Sequence, residues 1–79
     1  MKHYEFDVTK KGKLIHIAAF SREEGDSILF DCYTGDVLLG TIWPNLSDDP
    51  LLHWLGTGMS EDLVELIGDK IVRRYIWMR

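Results

Sequence analysis

Seventy-nine residues provide for one small domain, residues 1–79, and leave no room for a second core, since a chain of this size buries only about 60% of the surface its unfolded form exposes. With 46% apolar and 28% charged residues the composition is globular, which excludes intrinsic disorder. The net charge of −4 argues against non-specific nucleic-acid binding, which needs a surplus of Lys and Arg facing phosphates.

No stretch approaches the roughly 18 apolar residues of a membrane span. The start, MKHYEF, alternates polar with apolar where a signal peptide needs a continuous apolar run. Cys32 is the single cysteine, so no intramolecular disulfide forms, and a soluble cytoplasmic protein is expected.

From Tyr4 to Thr9 the residues alternate strictly, with Tyr4, Phe6 and Val8 on one side and Glu5, Asp7 and Thr9 on the other, the pattern of a half-buried strand. A polar turn with Gly12 follows, and Leu14 to Phe20 supplies the returning strand of a hairpin. Pairing Thr9 with Leu14 sets Val8 opposite Ile15, Phe6 opposite Ile17 and Tyr4 opposite Ala19, all on one face. The same register predicts Asp7 opposite His16 on the other.

Ser21 to Asp26 reads as a charged loop. Ser27–Tyr33 and Val37–Trp43 read as a second hairpin around Thr34 and Gly35. Pairing Cys32 with Val37 would align Phe30 with Leu39 and Ile28 with Thr41, leaving Leu29, Asp31, Leu38, Gly40 and Ile42 on the opposite face. Pro44 to Pro50 has the composition of a loop, and Leu51 to Leu55 is expected as a fifth short strand, because the Gly56-Thr57-Gly58 turn would stop a helix opened at Pro50 after about one turn.

Ser60 is the expected N-cap of a helix reaching to about Met78. Glu61 and Asp62 sit in its positive first turn, and Met59 is placed to staple onto Val64. Leu63, Val64, Ile67, Ile71, Tyr75 and Met78 form a broad apolar sector, and Asp69 and Arg73 are spaced i,i+4 on the polar side. The fold class expected is α+β, an antiparallel meander of four or five strands with one C-terminal helix on one face.

The chemistry-bearing residues assemble into no recognisable motif. His3, His16, His53, Cys32, Asp48 and Asp49 lack ligand spacing, so neither a metal nor a cofactor is expected. Cys32 alternates with Ile28 and Phe30 as a buried small hydrophobe. Gly56-Thr57-Gly58 precedes acidic residues that would repel a phosphate. Lys70, Arg73, Arg74 and Arg79 complement the helix dipole. What stands out is an apolar surplus beyond what one helix can cover.

These features favour a non-enzymatic binding module that forms a homodimer, or docks on another protein, through Leu29, Leu38, Ile42, Trp43 and Trp54. Strong curvature closing the sheet around its own core is the structural alternative. A nucleic-acid-associated regulator using the basic end of the helix, and a metal-assisted enzyme, are the rival functions.

Overall fold

The computed structural model describes residues 2–45 and 53–77, with side chains from 2–44 and 53–73. Five strands precede one helix: β1 (His3–Lys10), β2 (Lys13–Glu24), β3 (Ser27–Thr34), β4 (Val37–Asn45), β5 (His53–Thr57) and α1 (Glu61–Trp77). Each strand pairs antiparallel with the next, giving the sheet order β1-β2-β3-β4-β5. The α+β meander read from the sequence is therefore the fold.

The first hairpin has the register its apolar stripe demands. Thr9 faces Leu14, Val8 faces Ile15, Phe6 faces Ile17 and Tyr4 faces Ala19. Lys11 and Gly12 close it with φ of 51° and 77°, the two left-handed positions of a tight turn whose twist matches the strands.

Four expectations are corrected. Ser21 to Asp26 is mostly strand, because β2 runs on to Glu24 and only Gly25 and Asp26 make the turn; long strand extensions are recognisable by alternation only while one face stays apolar, and here Arg22, Glu23 and Glu24 hide it. Pro44 and Asn45 belong to β4, and β5 runs on through Gly56 and Thr57, both expected in the turn. Residues 51 and 52, and the loop expected over 46–50, lie outside the described residues.

The largest correction is in the second hairpin. Thr34 pairs with Val37 and Tyr33 with Leu38, but Cys32 then pairs with Gly40, Asp31 with Thr41 and Phe30 with Ile42. Leu39 is the extra residue of a β-bulge, and one extra residue reverses the parity of every side chain beyond it. Ile42 consequently lies on the covered face at 0% exposure, instead of the uncovered face.

The sheet is curled, and α1 lies across its concave side, packing chiefly on β1, β4 and β5. Ser60 caps the helix as expected, its Oγ accepting the Leu63 N–H at 3.3 Å. Lys10 Nζ donates to the same Oγ at 2.6 Å, tying the end of β1 to the helix start. Tyr4, Phe6, Val8, Ile17, Ala19, Phe30, Cys32 and Ile42 of the sheet meet Leu63, Val64, Ile67 and Ile71 of the helix in one core, with Trp54 and Met59 packed at its margin.

Candidate functional site on the outer face of the sheet

Alternation assigns the convex, helix-free side of the sheet residue by residue, and the registers arrange it in rows across the strands. One row is Arg22, Leu29, Trp43 and Leu55, since Arg22 pairs with Leu29 and Trp43 with Leu55. A second is His3, Phe20, Asp31, Thr41 and Thr57. A third is Glu5, Ala18, Tyr33 and Leu38. Asp7 and His16 make the fourth.

Of the five residues expected to form an interface, the structure brings three together on this face: Leu29, Leu38 and Trp43. Leu38 is 52% exposed, while Leu29 and Trp43 are half-buried among their neighbours. Ile42 and Trp54 are on the other side. Trp54 tilts against Phe30 with ring centroids 5.8 Å apart, and its indole lies on the backbone of Gly68 in α1. The expectation failed for Ile42 because the bulge is invisible in sequence. It failed for Trp54 because the ambiguous 51–55 segment had no register to assign a face.

Leu55, 45% exposed, is the member that sequence reasoning missed. Its signal was the Trp54-Leu55-Gly56 alternation, readable only once β5 is paired. Phe20 and Tyr33 extend the patch through an edge-to-face contact at 5.7 Å, and His3 stacks flat on Phe20 at 4.5 Å.

The polar groups of this face are largely consumed by one another. Arg22 Nε donates to Asp31 Oδ2 at 2.9 Å, Arg22 Nη1 to Glu24 Oε2 at 2.7 Å, and Thr41 Oγ1 to Asp31 Oδ1 at 2.7 Å. Partial burial would raise the Asp31 carboxyl, but the hydrogen bonds from Thr41 and Arg22 outweigh it and hold the group below its usual range.

Toward β1 the face becomes ionic. His16 Nδ1 lies 2.9 Å from Asp7 Oδ1, the cross-strand pair expected from register, and His16 Nε2 lies 2.9 Å from Glu5 Oε1. Glu5 is a diagonal neighbour that the direct-pair argument left out. His3 Nε2 adds a contact to Glu5 Oε2 at 3.4 Å. The hydrogen bond to Glu5, then that to Asp7, raises the His16 pKa above its ordinary 6.5, and the bond to His16 lowers that of Glu5 below its ordinary 4.5.

The sign of each shift fixes its effect. The His16 contribution is fully present below 6.5 and is lost as pH rises through the raised value; the Glu5 contribution is present above 4.5 and is lost as pH falls. The exposed cluster thus stabilises most between those limits. An NMR titration should place the His16 midpoint above 6.5 and move it downward in Glu5→Gln. An unchanged midpoint in that variant would show that the contact does not form in solution.

Other candidate groups are accounted for by packing. Cys32 is buried, and desolvation pushes its thiol up to about 12, which removes the thiolate that nucleophilic or ligand chemistry requires. No group of three or more His, Cys, Asp or Glu side chains among the described residues is arranged to hold a metal ion. Gly58 is the turn residue expected, with φ of 82°, and a Cβ there would also lie 2.6 Å from the Leu39 carbonyl oxygen, whereas Gly56 lies within β5 at a close-packing position, where a Cβ would be 2.8 Å from a Val64 methyl. Arg73 pairs with Asp69 at 3.3 Å. No described helix is long and apolar enough to cross a membrane. Comparison with protein-family models, curated proteins and solved structures found no match for the chain.

Proposed function

We propose that the chain is a non-enzymatic binding module of the cytoplasm that pairs with a second copy of itself through the β3–β5 half of its outer sheet face. The observation that carries the reading is the apolar row Leu29, Trp43, Leu55, with Leu38 and Tyr33 beside it, on the side the helix does not cover. Asp31, the ionised group within this half, is already bound by Arg22 and Thr41. Apposing two copies therefore buries Asp31 already paired, and an unpaired buried charge is the usual obstacle to a tight contact.

A standard interface takes about 800 Å² from each partner, roughly one seventh of the 5740 Å² that the chain exposes. A twofold contact needs only one self-complementary patch. The buried thiol of Cys32 suits a reducing compartment, and its depressed reactivity favours binding over catalysis.

Light scattering tests the proposal. The parent should run at twice 9.2 kDa at high micromolar concentration, and Leu38→Lys should give a folded monomer, because it places a charge in the contact without touching the helix-facing core. A monomeric parent at that concentration would reject the dimer.

A further inference from the structure

The open edge of β1 carries a second binding feature, independent of the outer-face dimer. Ser21 donates its backbone N–H to the Lys2 carbonyl at 2.8 Å, so Lys2 and Ser21 are a hydrogen-bonded pair, and antiparallel pairs alternate along a ladder. Tyr4, Phe6, Val8 and Lys10 therefore turn their backbone groups toward β2. His3, Glu5, Asp7 and Thr9 turn theirs outward, where β1 has no neighbouring strand. Among the described residues nothing bonds to these outward groups.

An open hollow of about 570 Å³ is lined by Glu5, Phe6, Asp7, His16, Lys70 and Arg73. Successive residues of a strand point to opposite faces, so a hollow that touches Glu5, Phe6 and Asp7 in succession lies along the strand's edge. Its two sides differ in charge. The carboxylates of Glu5 and Asp7 stand on the outer side, and Asp7 Oδ2 has no partner among the described residues. Lys70 and Arg73 of α1 stand on the inner side, and Lys70 has no ion-pair partner among the described residues.

We propose that the β1 edge binds an extended segment of another protein as a sixth strand, with basic residues opposite Glu5 and Asp7 and an acidic residue between them facing Lys70 and Arg73. In an added antiparallel strand the residues opposite Glu5 and Asp7 share their face, and the intervening one points to the helix side. The charge order required is thus basic-acidic-basic. A second copy does not fit this edge, because the central registers of β1 against β1 set Glu5 or Asp7 against Glu5 or Asp7, a destabilising arrangement. The charges that blunt the edge toward itself select an oppositely patterned strand.

The test uses the intact chain and three synthetic octapeptides with blocked ends. The first has Lys-Glu-Lys at its centre flanked by Thr and Val; the second has Glu-Lys-Glu; the third is the first with alternate backbone amides methylated. The first should shift the β1 amide signals in NMR spectra and slow hydrogen exchange at the Glu5 and Asp7 amides. The second should bind about ten-fold more weakly, the effect of reversing two or three cross-strand charge pairs, and the third should not bind. Equal binding of the two charge orders, binding that survives methylation, shifts confined to the outer sheet face, or no binding of the first peptide at millimolar concentration would each overturn the proposal.

Discussion

Gly68→Val should destabilise the domain by about 3 kcal/mol or more, at the upper end of what overpacking usually costs. Gly68 is buried in the middle of α1, and its missing side chain is the space into which the Trp54 indole fits: a Cβ would overlap three atoms of the ring system. Helix propensity alone gives the opposite sign, since replacing a helical glycine by alanine favours the helix by about 1 kcal/mol. The two effects separate cleanly in Gly68→Ala. Chemical denaturation should find it less stable than the parent, with a shifted Trp54 fluorescence signal, and should find the deficit reduced when Trp54→Leu is added. If Gly68→Ala melts higher than the parent, propensity has won and the indole is not seated on the helix backbone.

Ile67→Ala and Ile71→Ala should each cost about 2 to 5 kcal/mol, the range for large-to-small changes in a core. The two side chains are 0% and 1% exposed and stand one turn apart, where α1 faces the curled sheet. A domain this small lies near the low end of the usual 5 to 15 kcal/mol of total stability, so either variant should lose its cooperative melt or show it at much lower temperature. Leu66→Ala is the internal control. Leu66 adjoins Ile67 in sequence but is 37% exposed, and a change there should be several-fold smaller. Equal effects at 66 and 67 would mean that the helix is rotated from the orientation described.

How far the sequence carried differs sharply between the two hairpins. The first was legible to the residue, because Tyr4, Phe6 and Val8 alternate without interruption against Ile15, Ile17 and Ala19, and only one register keeps the stripe intact. The helix was legible for similar reasons, from the Ser60 cap to the Leu63, Val64, Ile67 and Ile71 sector. The second hairpin offered no such discrimination. With Leu38, Leu39, Ile42 and Trp43 all apolar, its pattern tolerates several registers, and a bulge after Leu38 satisfies as many apolar residues as an unbroken ladder. What fixes the choice is non-local: a side chain on Gly40 would collide with the Thr57 carbonyl across the β4–β5 pair, and one on Gly56 would collide with Ile42 and Val64. The outer-face site was legible in the same proportion. Leu29 and Leu38 followed from local alternation; Trp43, adjacent to Ile42, reaches their face only through the bulge, and Leu55, Ile42 and Trp54 depended on pairings that no local pattern records. The Glu5–His16 contact was within reach, since alternation already placed Glu5 and Asp7 on one side and diagonal neighbours in a ladder are close enough for long side chains.

The path of α1 across the concave side also sets how the chain must assemble. Every strand pairing joins neighbours in sequence, through turns as short as Lys11-Gly12, so the meander forms by inexpensive local closures. The helix docks on β1 through contacts such as Lys10 to Ser60, fifty residues apart. Closing that loop on an unpaired chain would cost about 2 to 3 kcal/mol more than a hairpin turn. The paired meander removes most of this cost, since residues 58–60 alone connect β5 to α1, so the contacts of Leu63, Val64, Ile67 and Ile71 follow the strands, and the meander without its last element is a half-lined trough rather than a smaller stable domain.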